Sequence, residues 1–145
     1  EVILSGRRVN NRMGSFVADS VIKMMTKRKL QVVDANILIL GLTFKENCPD
    51  LRNTGVIDII EEMKTYNTNV HIYDPWADRD EAMSEYGLTL LKEPTTNFYH
   101  AIIICVAHHQ FKELGEEGIR AFGVPNHVLF DVKHILPKSS VDARL

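Results

Sequence analysis

The chain has 145 residues, of which 45% are hydrophobic and 25% charged, with a formal charge of −2 at neutral pH. That size suits one globular domain with a sizeable core plus one extra element, and the balanced charge excludes the broad basic field of a nucleic-acid or membrane-surface binder. Two cysteines do not make a disulfide framework, and no apolar run matches a membrane span or signal peptide, so a cytoplasmic setting is expected.

The chain opens on Glu1-Val2-Ile3-Leu4 with no initiator Met, which reads as entry into the middle of a longer polypeptide. From about Val9 to Lys29, apolar residues at Val9, Met13, Phe16, Val17, Val21 and Met24 mark one face of a long helix. Its end falls in Lys27-Arg28-Lys29, where cations complement the helix dipole. Asn36 to Gly41 is a continuous apolar run closed by Gly, the pattern of a strand buried on both faces. Thr54 to Tyr66 is helical by the spacing of Val56, Ile59, Ile60 and Met63, and a strand from Asn69 stops at Pro75. Asp78 to Tyr86 reads as a helix ended by Gly87, followed by a weak strand at Leu88–Leu91 and a short helical stretch around Pro94 to Tyr99. Ala101 to Ala107 is the strongest strand. Phe111 to Phe122 is a helix interrupted at Gly115 and Gly118, His127 to Val132 a fifth strand, and Leu136 onward a tail.

Alternating strands and helices with aliphatic strands predict an α/β fold: a doubly wound, Rossmann-like, five-stranded parallel sheet preceded by a long N-terminal helix. Residues 1–30 read as a linking or dimerisation helix outside the unit, and residues 31–145 as the Rossmann-like domain.

In such a sheet, ligands bind beyond the carboxyl ends of the strands near the topological switch. With strand order 3-2-1-4-5, that crevice lies between the first and fourth strands. The loop after the first strand, Gly41 to Thr54, is about twice the length expected of a strand-to-helix turn. No GxGxxG occurs there. The loop instead carries Lys45 and Arg52, with Asn53 and Thr54 suited to cap the next helix. Lys133, past the fifth strand, adds a third cation. Cations converging beside a helix N-terminus suit a pyrophosphate or nucleotide. The alternative is a solvated loop whose cations pair with Glu46 and Asp50.

Other residues have weaker readings. His108-His109 lacks acidic or thiol partners at metal-ligand spacing and is expected at the crevice mouth. Asp74 either binds a ribose hydroxyl or, as the favoured reading, stops its strand and satisfies backbone donors. Cys48 sits near two cations that favour thiolate, but no base is evident beside it; Cys105 reads as core. Arg7, Arg8 and Asn10 either form a solvated helix face or meet a cofactor or partner subunit. Trp76 is expected to pack under the following loop.

GLTFKENCPDLRNT closely resembles the G-x-x-F-K-x-x-x-x-D-x-R-x-S/T segment of the UDP-glucose/GDP-mannose dehydrogenase family. GRRVNNRM, VHIYDP, HAIIICVAHHQFKEL and FDVKHIL resemble further segments of that family in the same order. ENCPD, with Lys in the last motif, is most similar to the bacterial UDP-N-acetylhexosamine branch of polysaccharide biosynthesis, including the Vi-antigen type. The resemblance implies the substrate-binding portion of an NAD-dependent nucleotide-sugar 6-dehydrogenase. It implies that Phe44, Lys45 and Lys133 contact the UDP-sugar and that Arg52 approaches the NAD phosphates. The family's G-G-x-C nucleophile segment is absent, so no catalytic residue is expected here. The main NAD site and the nucleophile are expected on an N-terminal domain of the same polypeptide, in a homodimer. Rival readings are a receiver- or flavodoxin-like signalling domain, and a stand-alone nucleotide-binding or oligomerisation module without a dehydrogenase role. Leu40-Gly41-Leu42 lacks the acidic residues that a receiver needs at this strand end.

Overall fold

A computed structural model describes the backbone of residues 2–145 and the side chains from residue 12 onward. The readings of Glu1, Arg7, Arg8 and Asn10 fall outside the described side chains. The first helix, α1, spans Val2–Lys27 and ends in a Schellman motif. Lys29 adopts φ 60°, while its amide reaches the Thr26 carbonyl (3.0 Å) and that of Leu30 reaches Met25 (2.9 Å).

Five parallel strands form one sheet in the order β2-β1-β3-β4-β5. They are β1 (Asn36–Leu40), β2 (Asn69–Tyr73), β3 (Tyr99–Ile104), β4 (Gly123–Asp131) and β5 (Ala143–Arg144). Helices α2 (Val56–Thr65), α3 (Arg79–Tyr86) and α4 (His109–Arg120) make the connections. The predicted fold class therefore holds, with one strand exchanged. Leu88–Leu91 contributes a single parallel bridge, Ile72 to Leu90, closed by the Leu91 amide on the Ile72 carbonyl (2.8 Å). The fifth strand comes instead from the expected tail, where Ala143 and Arg144 pair with Phe130 and Asp131.

That edge is held by side chains. Asp142 accepts from Arg28 Nη2 (2.6 Å) and from the Leu129 amide (2.7 Å), and Arg120 stands 3.6 Å away. A two-residue strand has too few ladder bonds to order itself, so these contacts fix it. The helix expected near Pro94–Tyr99 does not form. Asn97 turns at φ 51° and Tyr99 already belongs to β3. Helix α4 breaks at Gly115 (φ 66°, ψ −175°) as expected, but runs on through Gly118.

Alternation along the buried strands divides the core in two. Ile37, Ile39, Ala101, Ile103, Val128 and Phe130 face α1 and α2, whereas Leu38, Leu40, Ile102, Ile104 and Leu129 face Phe111 and Ile119 of α4. Helix α1 is not an appendage over its described part. Val17, Ala18, Val21 and Met25 are fully buried in the first of these layers. Gly14 sets the approach of the two helices, because a Cβ there would lie 2.8 Å from Asp58 Cβ and 2.9 Å from its backbone carbon.

Candidate nucleotide-sugar site

The topological switch lies between β1 and β3, which are neighbours although β2 intervenes in sequence. Gly41 closes β1 at φ 100°, and a Cβ at that position would stand 2.6 Å from Val106 Cβ and 2.8 Å from Val106 N. Only glycine lets the two strand ends come this close. Beyond that point, three loops meet over a buried polar cluster.

Asp74, just past β2, is its centre. Its Oδ2 accepts from the amides of Leu42 (2.6 Å) and Thr43 (3.0 Å), and its Oδ1 from those of Trp76 (2.8 Å) and Ala77 (3.2 Å). Oδ2 also lies 2.9 Å from Nε2 of His108, which stands 3.1 Å from Thr43 Oγ1. Nδ1 of His108 accepts from the Asn47 amide (3.0 Å), so the shared ring proton sits on Nε2 and the imidazole is neutral. Burial pushes the Asp74 carboxyl upward, but the hydrogen bonds from His108, Leu42 and Thr43 outweigh it and hold the group below its ordinary value.

Asp74 therefore satisfies backbone donors and has no oxygen left for a ribose. His108, expected at the crevice mouth, lies fully buried beneath the loop instead. The exposed His109 is held through Asn47 Oδ1, which accepts from the His109 amide (2.9 Å) and faces its Nδ1 at 3.1 Å. Trp76 lies against both imidazoles and donates from Nε1 to Gln110 Oε1 (3.0 Å). Among the described residues, no three His, Cys, Asp or Glu side chains gather as a metal site would require.

Beside this floor opens a cavity of about 210 Å³. Phe44, Asn53, Thr54 and Gly55 line it from the long loop and the start of α2; Cys105 and Val106 come from the end of β3, and Lys133 from the end of β4. Gly55, not Asn53 or Thr54, stands at the N-cap of α2, and no side chain caps the helix. Thr54 Oγ1 instead closes a turn just ahead of it by accepting from the Val56 amide (3.3 Å), while Asn53 turns the chain at φ 58°. Asp131 positions Lys133, accepting from its amide (3.2 Å) and from that of Leu136 (2.9 Å).

The predicted residues are only partly gathered. Phe44, 56% exposed, and Lys133 share the cavity. Arg52 lies in an adjoining hollow with Phe44, Asp50 and Asn53, while the exposed Lys45 lines neither space. Arg52 is engaged within its own loop. Its Nε and Nη2 each stand 3.1 Å from an Asp50 oxygen, and this guanidinium holds the Asp50 carboxyl below its ordinary range. Cys105 borders the cavity, but burial pushes its thiol far up despite the charge of Lys133, so it stays protonated and inert.

Sequence reasoning missed Met13, which lines the cavity from α1. Its helical spacing suggested only core. It also missed the tie from Asn47 to His108, for which a loop sequence gives no spacing rule.

Comparison with known proteins bears on this arrangement. Residues 38–138, which span all three loops, match the UDP-glucose/GDP-mannose dehydrogenase family, UDP binding domain. The whole chain is 48% identical to the UDP-N-acetyl-D-glucosamine 6-dehydrogenases of Salmonella typhi and Pseudomonas aeruginosa, and covers 34% of each. It thus spans about a third of the length of these relatives. The fold aligns with an NDP-N-acetyl-D-galactosaminuronic acid dehydrogenase from Methanosarcina mazei at a TM-score of 0.80 and 16% identity, over 97% of this chain and 29% of that one. The chain belongs to the UDP-glucose/GDP-mannose dehydrogenase family, whose UDP binding domain it contains.

Proposed function

We propose that this chain is the substrate-holding portion of an NAD-dependent UDP-sugar 6-dehydrogenase. It binds the UDP of a UDP-N-acetylhexosamine that is oxidised to the uronic acid for surface polysaccharide. The observation that carries this reading is the cavity where Phe44 and Lys133 meet the first turn of α2. An apolar ring, a cation and a helix N-terminus at one opening match a nucleoside diphosphate, whose base is flat and whose phosphates are anionic. Lys133 acts as a point charge and gives no bidentate fork, so it suits a phosphate or a single sugar oxygen. Lys45 reaches the ribose or phosphates from the exposed rim. The two most similar dehydrogenases named above act, by name, on UDP-N-acetyl-D-glucosamine, which supports the amino-sugar class.

The chain's residues fit only the edge of an NAD site. Arg52 is exposed and turned toward its loop partner, and the sequence offers no glycine-rich strand-to-helix turn for a pyrophosphate. NAD accepts the hydride when bound, and its main site belongs to an N-terminal domain of the full polypeptide. This portion contributes binding rather than bond-making. Holding the non-reacting UDP orients the sugar's C6 and lowers the entropic part of the barrier. The homodimer and the cytoplasmic setting belong to the same proposal. Residues 1–30 serve it as the linking or dimerisation helix, with Phe16, 57% exposed, as apolar surface for a neighbour.

Titration calorimetry tests the reading. UDP binds this chain, NAD binds poorly or not at all, and Lys133→Ala weakens UDP. An absence of heat with millimolar UDP would sink the assignment. The chain alone turns over no UDP-hexose, and NADH formation would overturn the division of labour.

A further inference from the structure

The proposed site leaves the buried imidazole of His108 without a role. It lies at the start of α4, away from the cavity lining, yet it touches both ends of the segment that carries Phe44 and Lys45. Nε2–H faces Thr43 Oγ1 (3.1 Å) and Asp74 Oδ2 (2.9 Å), while Nδ1 takes the Asn47 amide (3.0 Å). Thr43 Oγ1 donates to the Lys45 carbonyl (3.1 Å), and the Phe44 amide reaches the Asp50 carbonyl (2.7 Å). Asn47 adopts φ 55°, in the left-handed region that Asn enters more readily than most residues. Its side chain completes the tie by accepting from the His109 amide (2.9 Å). One ring thus brackets residues 43–47.

We infer that His108 is a positioning residue: through its Nδ1 acceptor it holds the loop that presents Phe44 and Lys45 to the nucleotide. This rests on the UDP reading of the site. The two ring nitrogens do separable work. Nε2 satisfies the buried Asp74 and Thr43 and so serves stability, whereas Nδ1 fixes Asn47 and so serves the loop. A preformed loop binds without the cost of ordering it.

The two amide side chains separate these roles, since Asn places an acceptor near the Nδ1 position and Gln places a donor near the Nε2 position. His108→Gln keeps the Asp74 contact and frees Asn47; His108→Asn does the reverse. The expected result is a crossed ranking. The Gln variant exchanges its Asn47 amide faster and binds UDP about tenfold more weakly than the Asn variant, the weight of one hydrogen bond. The Asn variant is the less stable of the two in urea. Equal affinities, or weaker UDP binding by the Asn variant, overturn the inference and leave His108 a structural residue. Nitrogen NMR of the wild-type ring provides a test that needs no variant to fold: an Nδ1–H tautomer overturns it as well. If wild-type protein fails to bind UDP, the nucleotide reading falls, and the exchange ranking alone decides whether the loop is held through Nδ1.

Discussion

Two sets of polar residues share the same edge of the sheet and are built on opposite terms. The Asp74–His108–Thr43 cluster is buried, and every donor and acceptor in it has a partner. Lys45, Arg52 and Lys133 stand in solvent, and of these only Arg52 has an ion-pair partner among the described residues. The first set spends its hydrogen bonds on the protein; Lys45 and Lys133 of the second keep their charge for something else. A stiff floor under a free rim is what a preorganised anion site needs, because the cations stay hydrated until a ligand arrives while the backbone beneath them does not move.

The sharpest way to break this contrast is to remove the floor. Asp74→Ala strands the amides of Leu42 and Thr43 and the Nε2–H of His108 inside the protein. Urea unfolding should show a loss of about 3 kcal/mol or more, as expected when a buried charged acceptor is deleted. The same carboxyl gives a pH dependence. Its folded value lies below the ordinary 3.8, so its stabilisation is complete above that value and is lost as pH falls through the folded value. Asp142, which burial pushes up but the hydrogen bonds from Arg28 and the Leu129 amide and the charge of Arg120 hold down, titrates in the same direction. Wild-type stability should therefore fall steeply below about pH 4, and Asp74→Asn should flatten that fall.

A second way tests how far the floor depends on α1. Gly14→Ala forces a methyl into the Asp58 backbone and pushes the helices apart, with a cost of about 1–3 kcal/mol by urea unfolding. Because Met13 lines the cavity, this variant should weaken UDP as well. Unchanged affinity would detach α1 from the site.

The reach of the sequence follows the same division. The sheet was legible because aliphatic runs such as Asn36–Leu40 and Ala101–Ile104 can only be buried on both faces, and Pro75 and Gly87 punctuate the chain by fixed backbone rules. β5 was not legible. It rests on Asp142 meeting Arg28 and Arg120 across more than a hundred residues in one case, and side-chain contacts of that range leave no local pattern. Lys45 and Arg52 stood out as charges in a long loop and Lys133 as a charge just past a strand, whereas Phe44 was singled out only by the resemblance to a family motif. The floor was half legible. Asp74 before Pro75 suggested a strand stop, but the pairing of His108 with Asn47 depends on how two loops happen to meet.

Removing rim cations one at a time should give smaller effects that leave stability intact. Lys133→Ala, at the cavity, should cost UDP affinity about tenfold with an unfolding free energy within about 0.5 kcal/mol of wild type. Lys45→Ala, outside the cavity lining, should cost less, and calorimetry under one salt condition ranks the two. A larger loss from Lys45 would mean that the nucleotide lies across the loop rather than in the cavity.

The smallest expected effect concerns Arg52, whose guanidinium is engaged by a neighbour two residues away on a surface open to water. Asp50 is held down first by its side-chain hydrogen bonds from Arg52 and then by the Arg52 amide. Arg52→Ala removes the former and leaves the latter, so carboxyl NMR should show the Asp50 pKa rising toward 3.8 without reaching it. The same titration can be run with pyrophosphate. If the anion competes for Arg52, the wild-type Asp50 pKa rises as pyrophosphate is added, and the variant's does not. A pKa indifferent to pyrophosphate would leave Arg52 a loop staple, closing its own turn like the floor beneath it rather than reaching outward like Lys133.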